Sequence, residues 1–109
     1  MKKSIYAVAS NGPAKESPVS DQAARSPFYL LFDESGNILE RLENPVSPVT
    51  GRAAPQAVGF LAGWGIHAFL AARFGEKMLR ELDSIGVDAV EANGPVGTAI
   101  SLFLESSET

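Results

Sequence analysis

Between Ile66 and Phe103 the chain alternates twice between a short apolar run and a helical stripe, and few folds accept that pattern. Ile66 to Ala72 is β-compatible and apolar throughout, the mark of a strand buried on both faces. Gly75 then opens a helix whose Met78, Leu79, Leu82 and Ile85 form one stripe, with Gly86 as its stop. Val87 to Ala92 is a further strand, and Gly94-Pro95 opens a last helix with Val96, Ala99, Ile100 and Phe103 on its inner face. The tail from Glu105 is polar and is expected to fray. Strands joined by helical crossovers of this length have to run parallel, with a right-handed connection.

The first half reads differently. Ile5 to Ser10 is a short buried strand closed by Asn11-Gly12-Pro13, and residues 11 to 26 form a polar connection too long to be a simple turn. Phe28 to Asp33 and Ile38 to Leu42 are two strands separated by Glu34-Ser35-Gly36-Asn37, where Gly36 and Asn37 tolerate the positive φ of a hairpin. Asn44-Pro45 and Pro48 end that hairpin, because proline cannot donate to a ladder. From Ala53 to about Trp64 the pattern turns helical, with Ala54, Ala57, Val58, Leu61 and Trp64 on one face and Pro55 in the first turn. The predicted order is β-β-β-α-β-α-β-α. It describes an α/β domain of the ribonuclease H-like kind: a mixed five-stranded sheet covered by helices, filling residues 1–109 as a single domain.

Composition narrows the function. The net charge is −4, and the nine Lys and Arg are dispersed rather than clustered, which argues against a nucleic-acid partner. There is no cysteine, hence no disulfide, no thiolate nucleophile and no thiolate ligand for zinc or an iron–sulfur cluster. Met1-Lys2-Lys3 followed by IYAVAS begins like a signal peptide, but Asn11-Gly12-Pro13 breaks the apolar run too early, so a cytoplasmic protein is expected. GFLAGWGIHAFLAA, from Gly59 to Ala72, falls short of the ~20 residues that span a membrane.

A sheet of this kind invites a nuclease reading, which needs several carboxylates on neighbouring strands to hold two metal ions. The first strand carries none, and Asp33-Glu34 reads as a solvated turn, so no catalytic residue is assigned. His67 is the chain's single histidine, with no second imidazole to complete a metal site, and a structural or exposed role is expected of it. The turn Ala72-Arg73-Phe74-Gly75-Glu76 is a better candidate. It leaves the carboxyl end of a parallel strand and enters a helix, where Arg73 and the backbone at Gly75 suit an anion; close strand–helix packing is the alternative reason for Gly75. No phosphate-loop or dinucleotide fingerprint accompanies it.

Four segments, AVASNG, DQAARSPFYLLFD, LENPVSPVTGRAAPQAV and GIHAFLAARFGEKMLRELDSIGVDAVEANGPVGTAI, together and in this order resemble the dinitrogenase iron–molybdenum cofactor biosynthesis family. The resemblance implies a ribonuclease H-like fold and a non-catalytic accessory that binds an anionic metal–sulfur cluster, of iron–sulfur or iron–molybdenum type, and hands it on. Such a ligand would suit Arg25, Arg73 and the backbone amides after Ser10 and Asn11 and near Gly75. Cofactor-carrying relatives tend to show Asp-Gln-His-Phe-Gly where this chain has Asp21-Gln22-Ala23-Ala24-Arg25, so the position of the expected histidine ligand holds an alanine methyl. The competing expectation is a protein-interaction or self-associating module, with an apolar patch around Trp64, that kept the fold and lost the ligand.

Overall fold

The computed structural model describes residues 4–45 and 53–107. The Met1-Lys2-Lys3 start and Pro48 lie outside the described residues. The elements follow the predicted order: β1 (Tyr6–Ser10), β2 (Phe28–Phe32), β3 (Ile38–Glu43), α1 (Ala53–Ala62), β4 (Ala68–Ala71), α2 (Glu76–Ser84), β5 (Asp88–Glu91) and α3 (Val96–Ser107). The five strands form one mixed sheet in the order β3-β2-β1-β4-β5. β1 pairs antiparallel with β2, Tyr6 opposite Phe32 and Ser10 opposite Phe28, and parallel with β4, Tyr6 opposite Ala68. β2–β3 is antiparallel and β4–β5 parallel.

Alternation along the central strands divides the core. Ala7, Ala9, Tyr29, Leu31, Phe69 and Ala71 face the side covered by α1 and α2, where Ala57, Val58, Leu61, Met78 and Leu82 pack on them. Val8, Leu30, Phe32, Ala68 and Leu70 face the other side, which α3 covers with Val96, Ala99 and Ile100. α1 and α2 are shorter than their periodicity suggests, whereas α3 runs on to Ser107, through the Glu105 tail expected to fray. α1 stops at Ala62, and Gly65 at φ 68° swings the chain out, so Trp64 lies beyond the helix and is exposed. On α2 only Met78 and Leu82 are buried; Leu79 and Ile85 stay exposed, because this nine-residue helix meets the sheet along a narrow line.

The β2–β3 hairpin is closed by Asp33. Its carboxylate accepts the backbone N–H groups of Ser35 and Asn37, both at 2.9 Å, while Gly36 takes φ 85°. The Asn37 amide bond, with smaller help from Ser35, the Asn37 side chain and Gly36 and against a desolvation cost, holds the Asp33 pKa below its usual 3.8. A lowered folded-state pKa means that the turn's stabilisation is complete above 3.8 and fades as pH falls through the folded value. Thermal melts across the acid range should therefore show a limb that Asp33→Asn flattens. An unchanged limb in the variant would assign acid sensitivity to other carboxylates.

Candidate functional site

The long connection after β1 has two halves with different jobs. Residues 11 to 20 fold back on the sheet end: Ser10 bridges to Val19, Asn11 N–H donates to the Pro18 carbonyl, and Ser20 N–H donates to Ala9. Ala72 N–H donates in turn to the Ser20 carbonyl at 2.9 Å, so Ser20 sits wedged between the carboxyl ends of the parallel strands β1 and β4. The same half covers the start of α3, whose Val96 and Gly97 N–H groups donate to the carbonyls of Ser17 and Lys15. An added Cβ on Gly97 would come within 3.3 Å of the Lys15 Cβ, which marks how closely the loop lies there.

Residues 21 to 25 turn the other way and face α2. Together with the Arg73-Phe74-Gly75 turn they enclose an open pocket of about 300 Å³, lined by Asp21, Gln22, Ala23, Ala24 and Arg25 on one wall and by Arg73, Phe74, Gly75, Lys77 and Met78 on the other. Ala54 of α1 completes it. Among the described residues the lining carries three cations, Arg25, Arg73 and Lys77, against the single carboxylate of Asp21. The N-terminus of α2 also reaches this pocket: Gly75 is its N-cap in extended conformation, and no side chain caps it. Among the described residues no loop covers the first-turn N–H groups of α2, unlike those of α3, and its dipole favours an anion. An added Cβ at Gly75 would meet no atom of the described residues within 4 Å, so close strand–helix packing does not explain this glycine.

Of the residues singled out from sequence, Arg25, Arg73 and Gly75 meet around this pocket. Ser10 and Asn11 do not line it. Ser10 is fully buried, its hydroxyl donating to the Gly12 carbonyl at 2.6 Å and accepting Gly12 N–H at 3.3 Å, and the backbone N–H of Asn11 is spent on the Pro18 carbonyl. The amides that follow Ser10 and Asn11 therefore serve the loop itself. His67 stands at the opposite end of β4, roughly 16 Å from Ala72 at ~3.3 Å per strand residue, and its Nδ1 accepts Ile5 N–H at 3.2 Å. Among the described residues no three His, Cys, Asp or Glu side chains gather to hold a metal ion, and no helix is long and apolar enough to cross a membrane.

Sequence reasoning missed Lys77, since a lysine in a first helical turn reads as a solvent-facing residue. It also missed what holds the 21–25 wall. Tyr29 and Asn44 are buried beneath it: the Tyr29 hydroxyl donates toward the carbonyls of Ala23 (2.7 Å) and Ala24 (3.1 Å), and Asn44 Nδ2 donates toward Ala24 (3.0 Å), Ser26 (2.9 Å) and the Tyr29 oxygen (3.0 Å). Ser26 Oγ ties the same segment to the Ser10 carbonyl at 2.9 Å. Burial pushes the Tyr29 phenol well above its ordinary value, which the Asn44 bond offsets only in part, so the hydroxyl stays a neutral donor.

The fold and this pocket define a class: a ribonuclease H-like α/β domain with a basic cleft where its parallel strands end. The chain belongs to the dinitrogenase iron–molybdenum cofactor family, whose model matches residues 2–106, and that family is an accessory, cofactor-associated one. Among solved structures, the apo form of the orange protein from Desulfovibrio gigas has the same fold at TM-score 0.86 and 22% identity, over 96% of this chain and 90% of that one. A NifB-like protein from Thermotoga aligns at TM-score 0.78 and 32% identity, over 94% of this chain and 88% of its own. No curated protein sequence matches the chain.

Proposed function

We propose that this chain is a non-catalytic accessory that holds an anionic metal–sulfur cluster, or a related anionic precursor, between the 21–25 wall and the start of α2, and passes it to a protein partner in cofactor assembly. The observation that carries this reading is the convergence of Arg25, Arg73 and Lys77 with the uncapped N-terminus of α2 around one pocket. A chain with net charge −4 repels anions at long range, so an anion has to be held by a local cluster of donors such as this one. The lining contains no thiolate and no imidazole. In this reading the cargo is held by charge and hydrogen bonds, and the metal keeps the ligands it arrives with.

The test is an anaerobic titration with iron–molybdenum cofactor, read by absorbance and electron paramagnetic resonance, with Ala23→His alongside. Ala23 is buried against the pocket, so an imidazole at this position lies next to any bound cluster. Saturable binding by the natural chain, with a resonance that the variant alters, is the expected result. Binding by the variant alone would overturn the carrier reading. The chain would then be an interaction module that kept the fold and gave up the cargo.

A further inference from the structure

The geometry points to the backbone N–H of Ala24 as a further donor to the anion, aimed into the pocket by the buried Tyr29–Asn44 pair. This inference rests on the anion-binding reading of the pocket and adds a contact that no side-chain inventory reveals. The carbonyls of Ala23 and Ala24 are both drawn toward the core, by the Tyr29 hydroxyl and Asn44 Nδ2. All peptide bonds here are trans, and a trans peptide directs its N–H opposite to its C=O. The Ala24 N–H, sharing a peptide plane with the Ala23 carbonyl, thus points away from Tyr29, on the side where Ala23, Ala24 and Arg25 line the pocket. Residues 23 to 25 form a turn, one of the backbone shapes from which anion-binding concavities of N–H groups are built.

Tyr29 and Asn44 are positioning residues in this scheme. Neither lines the pocket; the Tyr29 hydroxyl, itself held by Asn44 Nδ2, decides which edge of the 23–24 peptide the pocket sees. Without the phenol, the Ala23 carbonyl loses its 2.7 Å partner and the peptide is free to turn over.

The experiment is nuclear magnetic resonance of the nitrogen-15-labelled full chain titrated with sodium molybdate, a diamagnetic tetrahedral dianion. Saturable shifts of both the Ala24 and the Lys77 amides are expected in the natural chain. In Tyr29→Phe the Lys77 shift persists, the Ala24 shift disappears, and the molybdate Kd rises at least about tenfold, as for one lost hydrogen bond to a charged group. A Lys77 shift without an Ala24 shift in the natural chain overturns this inference and leaves the pocket reading standing. So does an Ala24 shift that survives in Tyr29→Phe. No saturable shift at either amide overturns both. Should Tyr29→Phe fail to fold, the natural chain's Ala24 shift decides alone.

Discussion

Arg73→Glu is expected to weaken binding of the proposed metal–sulfur anion by more than about a hundredfold. A hydrogen bond from a cation to an anion is worth about 1.5–3 kcal/mol, and reversing the charge adds a repulsion on top of that loss. Arg73 is exposed at the mouth of the pocket, so folding should be barely affected, within about 0.5 kcal/mol for a surface site of this kind. The matching control is Arg80→Glu. Arg80 lies one helical turn beyond Glu76, which it faces at 3.8 Å, and it does not line the pocket. Equilibrium titrations of the two variants under anaerobic conditions separate a local site from a general charge effect. Equal losses would mean that overall charge governs binding, and no loss in Arg73→Glu would place the ligand elsewhere.

The largest expected effect on stability is that of Phe69→Ala, at about 3–5 kcal/mol. Phe69 is fully buried in the middle of β4, and its ring meets Tyr29 edge-on at 5.4 Å and Phe74 at 5.8 Å. Truncation thus opens a cavity and removes two edge-to-face aromatic pairs at once. Set against the ~5–15 kcal/mol that holds a typical domain folded, this is a large share. Urea unfolding measures it, and a loss below about 1 kcal/mol would mean that the site collapses around the missing ring. Phe69 also links the core to the candidate site, because its two partners belong to the two walls: Phe74 lines the pocket and Tyr29 holds the loop opposite.

The order of elements was legible because each carries its own period: alternation or short apolar runs for strands, stripes at helical spacing for α2 and α3. Helix ends and exposure were less so. Leu79, Ile85 and Trp64 look like core residues in the sequence, yet α2 and the end of α1 turn them outward. For the candidate site, Arg73 and Gly75 could be found because the carboxyl ends of parallel strands are where open α/β sheets leave a crevice. Ser10 and Asn11 sit at the same end of the sheet, but the loop that follows them covers α3 and absorbs their amides. That is decided by hydrogen bonds to Gly94, Val96 and Gly97, more than seventy residues away, which no local pattern encodes. The Tyr29–Asn44 pair was hidden for a related reason. Tyr29 is one aromatic in an apolar run, and Asn44 precedes a proline like any strand terminator.

Ser20, stitched on one side to Ala9 and on the other to Ala72, has a consequence for how a ligand would be received. The residues that follow Ser20 form one wall of the pocket and those that follow Ala72 form the other, so the two walls spring from a common anchor although some fifty residues of sequence separate them. A receptor built this way does not have to assemble itself around its guest. Little backbone entropy would be left to lose on docking, and the ordering cost would fall on long side chains such as Arg73 and Lys77 rather than on closing a jaw. Transplanting the pocket into a relative would accordingly require both walls and their shared anchor to travel together.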